Sequence, residues 1–179
     1  SLAVMKFFEM QGYRTILLCP KKLERNWASF LEHGNKFEND HIDFKLRFHT
    51  DLIDGRWDSY SRRDSFTIRQ MLDDKPKLLV IDESHNLRNS KSNRYKYLVD
   101  EILSKAKGNI KVLMLSATPI NNSLNDIRNQ FKLMVGGREN GFEDTLDIKN
   151  IDYTFKTAQK KFNEWVQNDD LRIGAFIKM

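Results

Sequence analysis

The sequence of 179 residues lacks the features that mark secreted, disulfide-bonded and membrane-spanning proteins. Cys19 is the only cysteine, which excludes a disulfide within the chain and a zinc site built on cysteines, and favours a reducing compartment. No apolar run is long enough to cross a membrane, in keeping with the mean hydropathy of −0.62. The first residues, SLAVMKFFEMQGYR, lack the basic lead and cleavage site of a secretory signal. We therefore expect a cytoplasmic globular protein with no membrane partner.

A strong excess of either charge is also absent. The chain has 30 Lys and Arg against 25 Asp and Glu, which gives a net charge of +5 and a pI near 9.2. This balance mildly favours a polyanionic partner, but many ordinary soluble proteins share it. With 40% hydrophobic and 31% charged residues, the chain fits one globular domain of ordinary size.

Short apolar segments alternate with stretches of helical periodicity. The pattern predicts helices over 2–11, 21–33, 61–72, 92–106, 123–134 and 151–167, and strands over 15–19, 44–50, 77–81 and 111–115. The strands are apolar on both faces and are separated by helices. They therefore indicate an α/β fold, in which helices cover both faces of a parallel sheet.

Glycine is concentrated in one part of the chain. Three of the eight glycines fall in VGGRENG, residues 135–141, which indicates a hinge or an exposed loop. We therefore divide the chain into a sheet domain, residues 1–134, and a hinge with a helical appendage, residues 135–179.

Three predicted strands end in polar residues. The segments are Cys19-Pro20-Lys21-Lys22, Asp82-Glu83-Ser84-His85 and Ser116-Ala117-Thr118-Pro119. In an open parallel sheet, the carboxyl ends of the strands share one edge, and ligands bind in the crevice there. The three segments are therefore candidates for one functional site.

The acidic pair in LLVIDESHNLRN, residues 78–89, is the most informative of these features. Adjacent side chains of a strand point to opposite faces, so Asp82 and Glu83 are expected to have different tasks. One carboxylate can hold a hydrated Mg²⁺, and the other can deprotonate a water molecule for in-line attack on a phosphate. An apolar strand ending in Asp-Glu is the Walker B arrangement of nucleotide-hydrolysing folds. The alternative, two acids that cap an exposed loop, fits less well with His85 and a downstream Ser-Ala-Thr.

Three motifs in combination point to a family. VIDESHNLRN (80–89), LMLSATPINNSLNDI (113–127) and ILLCPKKLERNW (16–27) together resemble the first RecA-like lobe of helicase-type ATPases, in the variant of the Swi/Snf-like DNA translocases of superfamily two. The resemblance covers about residues 2–134. It implies a RecA-like sheet, ATP and Mg²⁺ as cofactors, double-stranded DNA as a partner, and a second RecA-like lobe in the same chain.

The resemblance also implies roles for matching residues. Asp82 would coordinate Mg²⁺ through water, and Glu83 would be the general base. His85 would link the ATP site to Ser116–Thr118, which would couple hydrolysis to movement. Pro20–Lys22 would lie beside the DNA backbone.

Each of these residues also has a simpler interpretation. Lys21 and Lys22 lie at a predicted helix start, where free amides favour phosphate, but they could equally be solvated. Ser116 and Thr118 could cap a turn, and His85 could be a turn histidine. The tryptophans, including Trp27, are interpreted as packing residues.

One expected motif is missing. The phosphate-binding loop G-x-x-x-x-G-K-[ST] does not occur, because the glycines of 136–141 are followed by Phe142-Glu143 and come after the Ser-Ala-Thr motif. We therefore expect a P-loop NTPase fold that lacks its P-loop strand, truncated just after that loop and unable to hydrolyse ATP alone. Strand 111–115 would then have an open edge, which could support an artefactual dimer.

The leading hypothesis is a parent protein that uses ATP hydrolysis to move on duplex DNA. The motor subunit of a restriction-type or strand-separating helicase shares the same lobe and stays an alternative. A degenerate lobe that binds DNA without catalysis is a third possibility, against which the retained Glu83 and Ser-Ala-Thr argue. In a bacterium the protein would associate with the nucleoid, and in a eukaryote it would be nuclear.

Overall fold

A four-stranded parallel sheet forms the centre of the fold, as seen in a computed structural model that describes residues 1–31, 42–60, 64–106, 109–118 and 124–167. The strands are β1 (Arg14–Cys19), β2 (Phe44–Phe48), β3 (Lys77–Ile81) and β4 (Ile110–Met114). Their order is β2-β1-β3-β4, and each neighbouring pair is parallel. The predicted α/β class is confirmed.

Helices lie between and beyond the strands. The α-helices are α1 (Leu2–Met10), α2 (Glu24–Ala28), α3 (Ile68–Met71), α4 (Asn93–Lys96), α5 (Leu124–Met134), α6 (Glu143–Leu146) and α7 (Ile151–Gln167). Short 3₁₀ turns occupy Lys21–Leu23, His49–Asp51, Trp57–Tyr60 and Ser84–Leu87, and a π-helical segment, Tyr97–Leu103, continues α4. None of the helices in the described part of the chain combines the length and hydrophobicity that a membrane span requires.

The sheet separates two hydrophobic cores. Leu17 and Val80 belong to the core that includes Met5 of α1. The alternate residues Ile16 and Leu79 belong to the core beneath the π-helical segment. Since successive side chains of a strand point to opposite faces, burial on both sides accounts for strands without polar alternation.

The predicted helix over 61–72 is wrong in its first half. Helix α3 begins only at Ile68, because Thr67 is extended and forms a capping box with Gln70. Gln70 N donates to Thr67 Oγ1 at 3.4 Å, and Thr67 N donates to Gln70 Oε1 at 2.9 Å. Ser65 lies in the left-handed region with φ of 59°. Residues 61–63 are outside the described part.

Other element ends differ by smaller amounts. Helix α2 ends at Ala28, short of the predicted His33, which lies outside the described residues. Strand β2 ends at Phe48, because Phe48 N donates to Asp51 Oδ2 at 2.9 Å and opens a 3₁₀ turn. Ser92, the first residue of the predicted helix 92–106, caps α4, since its Oγ accepts from Tyr95 N at 3.2 Å.

The C-terminal helix packs against α5. Helix α7 has the predicted bounds, and its first residue, Ile151, is buried. Lys132 of α5 donates to Asp152 of α7 at 2.7 Å. The predicted glycine-rich hinge contains two residues with positive φ, Gly136 and Gly137. A Cβ on Gly137 would lie 2.5 Å from Val99 Cγ1, so this turn also requires glycine for close packing.

Strand β4 is at the edge of the described sheet. Within the described residues it pairs only with β3. Its residues are partly or fully exposed, whereas those of β3 are all buried. The edge position is the one that the sequence predicted, while the dimer expected from it stays a prediction.

Candidate functional site

The carboxyl ends of β1, β3 and β4 form one rim. Leu18 is in register with Ile81, and Ile81 with Met114. Beyond the strands, Asp82 N donates to Leu18 O at 2.9 Å, and Ser84 N donates to Leu115 O at 2.9 Å. These backbone hydrogen bonds hold the acidic turn between the two neighbouring segments.

The carboxylate of Asp82 accepts two hydrogen bonds. Trp27 Nε1 donates to its Oδ2 at 2.8 Å, and Glu83 N donates to its Oδ1 at 2.9 Å. Asp82 therefore lies on the same side of the sheet as helix α2. Because each carboxylate oxygen has two lone pairs, both oxygens keep a lone pair for a further contact.

A cavity of about 320 Å³ lies next to Asp82. Its wall includes Ser1 and Leu2 at the start of α1, and Trp27 of α2. The first backbone N–H groups of a helix have no partner inside that helix and favour anions. The cavity therefore combines a carboxylate with a helix start that suits phosphate.

These residues fit a hydrated Mg²⁺ held mainly by water and phosphate. In the described ranges there is no cluster of three or more His, Cys, Asp or Glu side chains that could hold a metal. Mg²⁺ retains several waters and is commonly bound through one or two carboxylates plus substrate phosphates. Asp82 could supply that single carboxylate beside the cavity.

Glu83 occupies a strained turn. Its φ of 52° and ψ of 47° lie in the left-handed region, which is uncommon for a residue other than glycine. The two acids were expected to differ because side chains alternate along a strand. This reason is wrong, because β3 ends at Ile81, before Asp82 and Glu83. The left-handed turn, rather than a pleat, places the two carboxylates in different surroundings.

His85 connects Glu83 with the segment after β4. His85 Nδ1 lies 3.1 Å from Glu83 Oε2 and 3.2 Å from Ser116 Oγ. Ser116 Oγ also accepts a hydrogen bond from Thr118 N at 3.2 Å. The predicted residues of these two segments are thus in contact, with Ala117 exposed between the two polar side chains.

The predicted DNA-binding segment lies on the same rim. Pro20 follows β1 directly, and Leu23 N donates to Pro20 O at 2.9 Å to form the turn. Lys21 and Lys22 are exposed, and Lys21 Nζ lies 5.3 Å from the centre of the Phe48 ring. Their role in DNA binding stays a prediction.

Burial affects two ionisable groups beneath the rim. Burial, followed by the charge of Asp82, raises the pKa of the Cys19 thiol to about 12. Burial also lowers the pKa of His49 to about 4, despite hydrogen bonding to the backbone of Asp82. Cys19 is therefore a protonated thiol and His49 a neutral imidazole at pH 7.

Sequence reasoning missed the contacts that attach helix α5 to the acidic turn. Ser84 Oγ donates to Gln130 Oε1 at 3.2 Å, and Asn129 Nδ2 donates to Arg88 O at 2.7 Å. It also missed the hydrogen bond of Trp27, whose packing it did predict. No periodicity or spacing signals such contacts, because they join residues that are 41 to 55 positions apart.

Comparison with protein families identifies the chain. The family model of the SNF2-related domain matches residues 60–172. The chain belongs to this family. The resemblance to the first lobe of Swi/Snf-type ATPases, deduced from the motifs, is thereby confirmed. The matched range of this SNF2-related domain contains Asp82–His85 and Ser116–Thr118 but not Pro20–Lys22.

The fold is similar to that of a solved relative. The Sulfolobus solfataricus SWI2/SNF2 ATPase core in complex with dsDNA matches with a TM-score of 0.53 and 18% identity. The match covers 80% of this chain and 30% of that one. At this identity the likeness shows the RecA-like fold. No curated protein matches the sequence of this SNF2-related domain.

Proposed function

We propose that this SNF2-related domain is part of a DNA-dependent ATPase that moves on duplex DNA. The observation that supports the proposal most directly is the contact series Glu83–His85–Ser116, which joins an acidic turn to the segment after β4. A turn that only capped a loop would not require an acidic residue in the left-handed conformation. Nor would it require a histidine in contact with the carboxylate of that residue.

In this proposal the carboxylates have separate tasks. Asp82 would hold Mg²⁺ through water at the cavity beside α1 and α2. Bound MgATP would supply a terminal phosphoryl group that is open to in-line attack. Glu83 orients the attacking water and accepts its proton, because its carboxylate is partly exposed and is positioned by His85.

The contacts of His85 suggest how hydrolysis is coupled to movement. A change in the charge or position of Glu83 alters its interaction with His85, and therefore the hydrogen bond between His85 and Ser116. Ser116 Oγ holds Thr118 N, so the backbone after β4 responds as well. The segment Ser116–Thr118 would transmit this change towards a second RecA-like lobe.

DNA is proposed to bind beside Pro20–Lys22. Two exposed lysines follow β1 there, on the rim that carries the acidic turn. Lysine side chains neutralise backbone phosphates without reading the base sequence. The structurally similar SWI2/SNF2 ATPase core of Sulfolobus solfataricus was solved in complex with dsDNA, which supports a duplex partner.

The 179-residue chain is proposed to be inactive alone, because the phosphate-binding loop and second lobe would come from elsewhere in the parent protein. Its open β4 edge is also proposed to pair with another chain when the fragment is isolated. Measurable ATP hydrolysis by the fragment, lost in Glu83→Gln, would contradict the first statement. A strictly monomeric mass in light scattering would contradict the second.

The function is tested with the full-length parent protein. ATP hydrolysis is measured without nucleic acid and with duplex DNA, single-stranded DNA or RNA. We expect duplex DNA to stimulate hydrolysis most, and Glu83→Gln to lower the stimulated rate by about 100-fold or more, the range for loss of a general base. Glu143→Gln, which changes an exposed acid of α6, is the matched control and should leave the rate unchanged.

Three results would overturn the proposal. An unstimulated rate with every nucleic acid would exclude a DNA-dependent motor. A Glu83→Gln variant with the wild-type rate would show that this turn does not activate water. Stimulation by single-stranded DNA alone would replace the translocase with a strand-separating helicase.

A further inference from the structure

Trp27 makes a polar contact that packing alone does not require. Its indole Nε1 donates to Asp82 Oδ2 at 2.8 Å, within the range of charge-assisted hydrogen bonds to carboxylates. The donor and acceptor are 55 positions apart in the sequence, on helix α2 and on the turn after β3. The bond therefore connects two segments of the rim.

This hydrogen bond completes the positioning of the Asp82 carboxylate. Glu83 N holds the other oxygen, Oδ1, at 2.9 Å. With one donor on each oxygen, the plane of the carboxylate is fixed, whereas the backbone donor alone would leave rotation about the Cβ–Cγ bond. Partners that orient a metal-binding side chain in this way affect the affinity for the metal.

The indole ring is itself held in place. It packs edge-on against Phe44 of β2, with ring centres 6.2 Å apart and an interplanar angle of 85°. The centre of the indole ring also lies 6.1 Å from the centre of the Phe30 ring. These two contacts hold the indole ring in one orientation at the end of α2.

Helix α2 directly follows the proposed DNA-binding segment. The 3₁₀ turn Lys21–Leu23 leads directly into α2, which begins at Glu24. Four residues separate Lys22 from Trp27 in the sequence. A displacement of the two lysines towards a phosphate backbone would thus be passed on through one short helix to the indole.

We propose that Trp27 is a positioning residue, which fixes the Asp82 carboxylate for Mg²⁺ and makes its orientation depend on DNA bound at Pro20–Lys22. This inference rests on the proposed function. Trp27 forms part of the cavity wall, and in this role it acts on the metal through Asp82. Because coupling between two sites is reciprocal, duplex DNA raises the affinity for Mg²⁺-nucleotide, and Mg²⁺-nucleotide raises the affinity for DNA.

The test measures binding, so that it does not depend on turnover. In the full-length parent protein, a fluorescent non-hydrolysable ATP analogue is titrated with Mg²⁺, with and without duplex DNA. In the wild type, duplex DNA is expected to lower the Mg²⁺ concentration for half-maximal binding. In Trp27→Phe, that concentration rises about tenfold or more, as for other partners of metal-binding side chains, and DNA no longer lowers it.

Trp57→Phe is the matched control. It makes the same chemical change at a buried tryptophan whose Nε1 has no hydrogen-bond partner among the described residues. Its Mg²⁺ dependence should equal that of the wild type. Affinity for duplex DNA without nucleotide, measured by fluorescence anisotropy, should be the same in all three proteins.

A second variant covers the case in which Trp27→Phe does not fold. Replacing Trp27 by 3-benzothienylalanine keeps the two-ring shape and removes only the N–H donor, and it should also raise the half-maximal Mg²⁺ concentration. Wild-type Mg²⁺ dependence in this variant, or in a folded Trp27→Phe, would overturn the role of Trp27. A wild-type protein that binds Mg²⁺-nucleotide without any DNA-stimulated hydrolysis would instead overturn the proposed function, and the two failures are thus distinguishable.

Discussion

His85 Nδ1 lies 3.2 Å from Ser116 Oγ, so the turn after β3 and the segment after β4 are joined by a side-chain contact. The same nitrogen lies 3.1 Å from Glu83 Oε2. The imidazole of His85 therefore contacts both the acidic residue and the serine. The contact lies at the surface of the rim, because His85 and Glu83 are both partly exposed.

Ser116→Ala is expected to uncouple hydrolysis from movement. The variant removes the contact with His85 and the acceptor of Thr118 N, but leaves Glu83 and Asp82 in place. In the full-length protein, we expect movement on duplex DNA, measured by displacement of a third strand from a triplex, to fall about tenfold more than ATP hydrolysis. Thr145→Ala, which also removes a hydroxyl but at an exposed position of α6, is the control. Equal losses of both activities in Ser116→Ala would contradict coupling through this serine.

Glu83→Gly is expected to separate stability from activity. A left-handed conformation costs a residue with a Cβ about 1–2 kcal/mol, and glycine avoids this cost but loses about 0.5–1 kcal/mol of backbone entropy. We expect the free energy of unfolding to be equal to or up to about 1.5 kcal/mol above that of the wild type, with hydrolysis abolished. Urea denaturation gives the comparison. Glu83→Val, with a branched Cβ, should be less stable than both, and a Glu83→Gly variant as unstable as Glu83→Val would argue against strain at this turn.

Asn129→Ala is expected to weaken the attachment of helix α5 to the acidic turn. The buried Asn129 donates to Arg88 O at 2.7 Å, and its loss leaves a carbonyl oxygen without that donor. Removing one partner of such a bond costs about 1–3 kcal/mol of unfolding free energy. Chemical denaturation would measure it against Asn125→Ala, an exposed asparagine of the same helix. If the two variants unfold at the same denaturant concentration, the contact contributes nothing to stability.

Asp73→Asn is expected to destabilise the protein at neutral pH and much less in acid. Asp73 Oδ1 lies 2.7 Å from Nζ of the buried Lys77, whose ammonium would lose its counter-charge. Partial burial opposes ionisation of Asp73, but hydrogen bonds from Lys77, Lys75 N and Arg14 outweigh it and lower its pKa from 3.8 to about 2. The carboxylate therefore stabilises the fold above pH 3.8, and this contribution is lost as the pH falls towards 2.

The difference between wild type and Asp73→Asn should be about 1–2 kcal/mol at pH 7, since Asp73 is partly exposed and the interaction is screened. Thermal unfolding at several pH values should show the two proteins converging below about pH 4. Asp74→Asn, at the exposed adjacent position, supplies the control. A difference that stayed constant with pH would show that the ion pair is not its source.

The parts of the fold that follow from local pattern were predictable. The strands at 77–81 and 15–19 are apolar on both faces, and the structure buries them between two layers of helices. The first helix was predicted over 2–11, and Gly12, which follows it, has the positive φ, 80°, typical of that position. The shared rim followed from the rule that parallel strands end at one edge.

The features of the structure that depend on contacts between residues far apart in the sequence were not predictable. The hydrogen bond from Trp27 to Asp82 requires helix α2 to pack at one particular angle, which no periodicity encodes. The left-handed turn at Glu83 is equally invisible, because glutamate has no local preference for it. The helix predicted at 61–72 failed because Thr67 and Gln70 cap each other and move its start to Ile68.

Cys19 has a practical consequence for experiments on this domain. It is the sole cysteine in the sequence, its side chain is buried, and its pKa of about 12 leaves almost no thiolate at pH 7. A maleimide dye should therefore react only with a cysteine introduced at the surface, for example in Lys149→Cys, whose parent side chain is exposed. Fluorescent labelling at a chosen point would then need no prior removal of the native thiol.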